Sequence, residues 1–327
     1  MKATKALYIS KSKTSHDDRF VEVFKSFLNL TEIYLDIEHQ LVNGSNWINH
    51  DLIIASPLST GITAIPENCD TQLIGICMAY EINEEAKDEL ALNEIYKNIQ
   101  RCTAIICDSN HVKQILQNKY DFQGPLLQIA YGCTQGNFLK VKLEDVNILR
   151  VISLRNWTKI HSNETSLQAL SIVGSKGLQI EAKFYGEGPE LNEDIKNKMS
   201  NDSQGKISFL GAFTNDALPA ILGNSEVYLS SSISDGSSVS LLEAMSAGRI
   251  CICRDFPSNR EWIENEVNGF LFKSAEELSE ILIKISKLTY VEKLAISEMA
   301  RNSVTGRGDW EVIKKSLVHF TKSLIKS

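Results

Sequence analysis

The sequence predicts an α/β protein built from two doubly wound parallel sheets. Three observations carry this. Short apolar or β-branched runs of four to seven residues recur along the chain, amphipathic stretches separate them, and the alternation pauses once near the middle. Runs that are apolar throughout, rather than at every second position, suit strands covered on both faces. Strands that alternate with helices make βαβ units, and those build parallel sheets.

In the first half the runs are Ala6–Ser10, Glu32–Asp36, Asp51–Ala55, Gln72–Cys77, Ala104–Cys107 and Leu126–Ala130. In the second they are Ile148–Leu154, Ile180–Tyr185, Ile207–Leu210, Val227–Ser230 and Ile250–Cys253. Helix starts follow from capping residues: Asn83 before a helix to about Arg101, Asn163 before one to about Val173, and Asn215 before one to about Leu222. The pause falls at Gly132–Phe138, with charged Lys140–Asp145 behind it, and reads as a linker. This divides the chain into an N-terminal domain over 1–140, a second domain over 141–306 and a separate closing helix over 307–327. That helix carries Trp310, Ile313, Leu317, Phe320 and Leu324 at spacings of three or four.

Composition narrows the function. The chain has 327 residues, enough for two domains, with 43% hydrophobic and 23% charged residues. A net charge of −7 argues against general nucleic-acid binding, which needs a basic face. The longest apolar runs, such as Leu73–Tyr80, are under half the roughly 20 residues of a membrane helix. The start of the chain turns polar too soon for a signal peptide, so an intracellular protein is expected. Seven cysteines without a CxxC pair read as buried free thiols. The six histidines are scattered, so no metal site is expected.

Ligands of open parallel sheets bind beyond the carboxyl ends of the strands, so polar residues there come first. After the run ending at Ser230, the stretch Ser231–Ser238 is rich in serine, contains Asp235 and Gly236, and opens a helix that carries Glu243. Backbone N–H groups around Gly236, Ser237, Ser238 and Val239, with the positive end of the helix dipole, suit a diphosphate. The carboxylates of Asp235 and Glu243 suit vicinal sugar hydroxyls. The alternative is a capped core helix, with Asp235 or a serine as its cap and Glu243 at the surface.

The pattern Asp235-x7-Glu243, with Leu241-Leu242-Glu243-Ala244-Met245 and Gly248, resembles the Glu-x7-Glu signature of the GT-B retaining glycosyltransferases of family 4, the glycosyl transferases group 1. Other pieces follow in the family's order: Arg155-Asn156-Trp157-Thr158-Lys159, Phe184-Tyr185-Gly186-Glu187-Gly188-Pro189, Ile207–Gly211, Asn259–Ile263 and Val267–Leu271. Near the end of the first half, Cys107–Asn110 and Tyr131–Cys133 fit as well. The resemblance runs from about residue 105 to the end.

It implies a GT-B architecture: two Rossmann-like domains facing a cleft, the donor in the second, and the closing helix packed back on the first. It implies a retaining transfer of a sugar from a nucleotide-sugar donor to an acceptor hydroxyl, in polysaccharide or lipopolysaccharide assembly. No cofactor and no metal are implied. Arg155 and Lys159 would hold the donor diphosphate and stabilise the leaving group. Asp235 would meet the donor sugar and Glu243 the ribose. Gly186 would form the turn beside the donor. Phe213 would stand where the family builds its base pocket, or serve the core.

Departures touch the donor sugar and the acceptor side. Asp235 is shorter by one methylene than the family's glutamate, and the glycine pair usual after the first strand is replaced by Lys11–His16. His16, Tyr80 and Glu81 are the acceptor candidates. The expected partners are the donor and a glycan or lipid-linked acceptor. Lys314, Lys315, Lys322 and Lys326 leave a peripheral membrane contact as the alternative to helix packing, for an otherwise cytoplasmic enzyme. The rival functions are a nucleotide-sugar 2-epimerase on the same fold and a non-catalytic, nucleotide-sugar-binding subunit.

Overall fold

Strands β1 (Lys5–Ser10), β2 (Asn29–Tyr34), β3 (Leu52–Ser56), β4 (Gln72–Cys77), β5 (Ala104–Cys107) and β6 (Leu126–Gln128) form one sheet in the order β2-β1-β3-β4-β5-β6. A second sheet holds β7 (Leu149–Ser153), β8 (Ile180–Tyr185), β9 (Lys206–Gly211), β10 (Val227–Ser230), β11 (Ile250–Arg254) and β12 (Phe270–Phe272), in the order β12-β11-β10-β7-β8-β9. Every pairing in both is parallel. The computed structural model describes residues 4–11, 15–35, 49–83, 88–138, 142–144, 148–196 and 206–325.

The α/β, doubly wound fold read from the sequence is the one observed. Apolar runs become central strands because helices cover both faces: Leu52–Ala55 and Ala104–Cys107 are fully buried. Four runs, Gln72–Cys77, Ala104–Cys107, Ile180–Tyr185 and Val227–Ser230, match their strands to the residue. The three-residue β12 was not foreseen as a strand.

Each sheet has its own core. In the first, Leu7, Ile9, Ile53, Ile105 and Leu116 pack with the thiols of Cys77, Cys102 and Cys107. In the second, Val151, Trp157, Leu170, Phe184, Leu229, Ile252 and Leu278 do the same work. The chain divides into two compact units, 1–131 with 311–327, and 132–310. The division thus falls after Tyr131, where the sequence placed it after 140. Backbone bonding explains the shift. Cys133 donates to the Gly308 carbonyl at 2.9 Å, and Trp310 donates back to Cys133 at 3.0 Å, tying Gly132–Phe138 to the second unit.

The closing helix, Trp310–Ile325, is grouped with the first unit from Glu311 onward. There Gln72 donates to the Leu324 carbonyl and Lys322 lies over the Phe27 ring. Lys314 pairs with Glu311 at 2.6 Å; Lys326 lies outside the described residues. No helix among the described residues is long and apolar enough to cross a membrane.

Three caps differ from expectation. Asn215 is the first residue of a 3-10 turn, Asn215–Ala217, whose N-cap is Thr214, and the helix Leu218–Gly223 follows with Ala217 at its N-cap. The helix Glu89–Arg101 is capped by Asp88, whose carboxylate accepts from Leu90 and Ala91, while Asn83 ends a separate short helix. Asn163 is the first residue of its helix, and its side chain bridges back to the carbonyls of Arg155 and Asn156.

Candidate functional site

The second sheet runs β9-β8-β7-β10-β11-β12, the strand order in which two βαβαβ halves diverge from a central pair. The reversal lies between β7 and β10. The chain leaves these two strands at Ser153 and Ser230, at the switch point where open α/β sheets form their ligand crevice. Arg155 comes two residues after β7, and Ser231–Ser238 follows β10 directly.

The Arg155 side chain is only 11% exposed, and all five of its N–H donors are engaged. Nε donates to Ser232 Oγ at 3.1 Å. Nη1 donates to Ser238 Oγ at 2.8 Å and Ser240 Oγ at 3.0 Å. Nη2 pairs with Asp235 Oδ2 and meets His161 Nδ1 at 3.3 Å. Tyr228 of β10 extends the net through its hydroxyl to Ser240 at 2.8 Å. Burial disfavours the Arg155 charge, but the Asp235 carboxylate outweighs it and holds the guanidinium pKa above its ordinary value. Burial and the Arg155 charge together push His161 down to about 4, so its imidazole is neutral.

Local sequence explains why the loops hold still. Gly186 and Gly188 lie at φ 93° and 152°, beside the chain that carries Arg155. A Cβ on Gly188 would stand 2.1 Å from the Trp157 carbonyl, and one on Gly186 2.8 Å from the Arg155 carbonyl. Only glycine lets the turn approach so closely. Trp157 then donates to the Glu187 carbonyl and Glu190 to that of Trp157. On the other side, Ile233 donates to the Ile160 carbonyl at 2.8 Å, and Ser231 Oγ bonds the carbonyls of His161 and Ser162. Trp262 Nε1 holds Ser237 Oγ at 3.2 Å from a third loop.

The helix Val239–Ser246 opens on this net. Ser238 stands at its N-cap position but makes no capping bond, because its hydroxyl serves Arg155 and Ser240. The first N–H groups of the helix are therefore not capped by that side chain. Gly236 N–H is taken by Asp235 Oδ1 at 2.9 Å.

The structure thus brings Arg155, Asp235, Gly236, Ser237, Ser238 and Val239 together. Lys159 opens a one-turn 3-10 segment, Lys159–His161; it is exposed and stands outside the Arg155 net. Glu243 is half-buried, one helix face further on. Phe213 follows β9 half-buried, its ring edge-on to Tyr185 at 5.4 Å. Gly186 N–H donates to the Gly211 carbonyl at 2.7 Å, so that turn closes the ends of β8 and β9.

The acceptor candidates belong to the first unit. Glu81 is fully buried and its carboxylate accepts from the backbone N–H groups of Ser59 and Met78, a brace between two short helices. Tyr80 is 37% exposed. His16 lies in the helix Ser15–Lys25, and its side chain is outside the described residues.

Sequence reasoning missed His161, Ser232, Ser240 and Tyr228. The serine density after Ser230 was a visible signal. His161 had none, because its position follows from a 3-10 turn rather than from helix or strand periodicity.

Two parallel sheets of these strand orders, with this crevice in the second, make the fold that of the GT-B glycosyltransferases. Residues 148–288 match the family model described as Glycosyl transferases group 1. The chain is 28% identical over 240 residues to the GtfA subunit of a UDP-N-acetylglucosamine–peptide N-acetylglucosaminyltransferase from Streptococcus agalactiae, covering 68% of this chain and 46% of that protein. It is 31% identical over 120 residues to a UDP-Gal:α-D-GlcNAc-diphosphoundecaprenol α-1,3-galactosyltransferase from Escherichia coli, covering 36% and 30%. The chain spans less than half the length of these curated relatives. Among solved structures, Anabaena Alr3699/HepE in complex with UDP superposes with a TM-score of 0.77 at 15% identity, covering 98% of this chain and all of that one.

Proposed function

We propose that the chain is a retaining glycosyltransferase of family 4, which moves a sugar from a nucleotide-sugar donor to an acceptor hydroxyl without a metal. The observation that carries this reading is the Arg155 net in the crevice of the second sheet, inside the segment that matches the glycosyl transferase model. A buried guanidinium beside an uncapped helix start suits a diphosphate.

Because all five Arg155 donors are engaged, a donor phosphate enters by exchange. Its oxygens replace the hydroxyls of Ser238 and Ser240 or the Asp235 carboxylate, which then turns to the sugar. Exposed Lys159 adds a second positive charge, and Glu243 serves the ribose. In the reaction the bond from the anomeric carbon to the phosphate oxygen breaks and its electron pair stays on the diphosphate. Arg155, Lys159 and the helix N-terminus stabilise that charge. The acceptor oxygen attacks from the face that the diphosphate leaves, and its proton passes to the leaving phosphate oxygen.

The curated relatives carry peptide and diphosphoundecaprenol-linked acceptors in their names, which supports a glycan, peptide or lipid-linked acceptor here and fits surface-polysaccharide assembly. Nothing in the site favours an epimerase. A transfer assay with UDP-, GDP-, ADP- and CMP-sugars tests the proposal. One donor class should give a product with the donor's anomeric configuration by NMR, at the same rate with chelator present. An inverted product contradicts retention, and loss of rate in chelator contradicts metal independence.

A further inference from the structure

The Arg155 net contains one member that donor chemistry alone does not require. His161 Nδ1 stands 3.3 Å from Arg155 Nη2 and 3.1 Å from Ser232 Oγ. Arginine has five donors and no acceptor, so the nitrogen facing it must be unprotonated. The ring proton is therefore on Nε2. The other four donors of Arg155 go to three serines and Asp235, and without His161 one N–H on a buried cation would lack an acceptor.

We propose that His161 is a positioning residue for donor binding: its unprotonated Nδ1 takes the fifth N–H of Arg155 and fixes the plane of the guanidinium that meets the donor phosphate. This rests on the reading of the crevice as a donor site. The carrier of His161 is itself clamped. Its own carbonyl and that of Ser162 accept from Ser231 Oγ, and the Ile160 carbonyl accepts from Ile233 N–H, so the Lys159–His161 turn moves with the loop after β10. One turn thereby carries both the exposed Lys159 and the acceptor that aims Arg155. The titratable and charged groups facing His161 and Arg155 are Asp235 from the loop after β10, Tyr228 from β10 and Cys253 from β11.

Nitrogen NMR of the uniformly labelled chain and nucleotide binding test this. At pH 6 the His161 ring should be neutral with its proton on Nε2, and Arg155→Ala should raise its titration midpoint towards that of an ordinary histidine. A charged ring, or a proton on Nδ1, overturns the proposal whatever the protein does with nucleotides. With UDP and GDP as probes, His161→Ala should weaken the tighter nucleotide about tenfold, the scale of one unpaired buried N–H. His161→Asn places an acceptor where Nδ1 stands and should recover most of that loss. His161→Gln places it where Nε2 stands and should not. This contrast distinguishes positioning from loss of fold, since both amides are similar in size and polarity. Equal binding by wild type, alanine, asparagine and glutamine variants overturns the positioning role and leaves the donor site standing. Absence of binding by wild type to either nucleotide, with the NMR result as expected, brings down the donor reading and the positioning role with it, and leaves His161 as an acceptor for Arg155 in the fold alone.

Discussion

At the scale of single residues, the site is a problem of satisfying one cation. Arg155 is nearly buried, and a buried charge is tolerated only when paired and fully hydrogen-bonded. Asp235 supplies the charge, serine hydroxyls and His161 the remaining acceptors. His161 gives this a pH signature. Its folded pKa lies near 4, below the ordinary value of about 6.5 for an unfolded chain. The unfolded state therefore takes up a proton first as pH falls. The stabilisation is complete above about pH 6.5 and is lost as pH falls towards 4, with a slope of up to about 1.4 kcal/mol per pH unit. Denaturant midpoints measured between pH 7 and 4 should fall less steeply in His161→Asn than in wild type. Asp235 was legible in the sequence as a carboxylate just past an apolar run, and Arg155 through the resemblance to the glycosyltransferase pattern. Their mutual ion pair was not legible, since 80 residues separate them and only the β7–β10 neighbourhood brings them together.

At the scale of elements, the glycine turn after β8 is the support on which the Arg155 loop rests. Gly188→Ala puts a methyl group into the Trp157 carbonyl at a positive φ, so either the turn or the Arg155 loop must move. A loss of about 1–3 kcal/mol in unfolding free energy is expected. Donor affinity should fall with it, although the added methyl group meets the Trp157 backbone rather than the Arg155 side chain. Calorimetric unfolding and nucleotide titration of the same variant check both. Elements were the most legible level. Apolar runs flanked by polar residues located eleven of the twelve strands among the described residues, because parallel strands buried on both faces leave a strong signal. β12 escaped because Phe270–Phe272 is too short to show a pattern. The helix caps escaped because asparagine, aspartate, serine and threonine are all favoured at the N-cap, and Asp88, Ser162 and Thr214 occupy that position in place of the nearby asparagines.

At the scale of the whole molecule, two parallel sheets of similar size carry separate cores, and the free thiols belong to those cores. Cys77, Cys102, Cys107, Cys133, Cys251 and Cys253 are buried, while Cys69 is partly exposed. Burial pushes the Cys77, Cys102, Cys251 and Cys253 thiols up, away from the reactive thiolate. Alkylation of the native protein, read by mass spectrometry, should label Cys69 rapidly and the other six only on unfolding. The fold class was legible because alternation and run length are properties of the entire chain. The domain limit was less so, since the tie between Cys133 and Gly308–Trp310 spans most of a unit.

On the proposed function, Arg155 and its net form the donor diphosphate site. Titration of UDP-, GDP-, ADP- and CMP-sugars against wild type and Arg155→Ala, followed by thermal shift, tests it most directly, because a ligand of the folded state alone raises its stability by mass action. One nucleotide class should stabilise wild type. Arg155→Ala should bind it about 10- to 100-fold more weakly, as expected for charge-assisted hydrogen bonds of about 1.5–3 kcal/mol. No stabilisation by any nucleotide-sugar at millimolar concentration, or equal stabilisation of both proteins, would contradict the account.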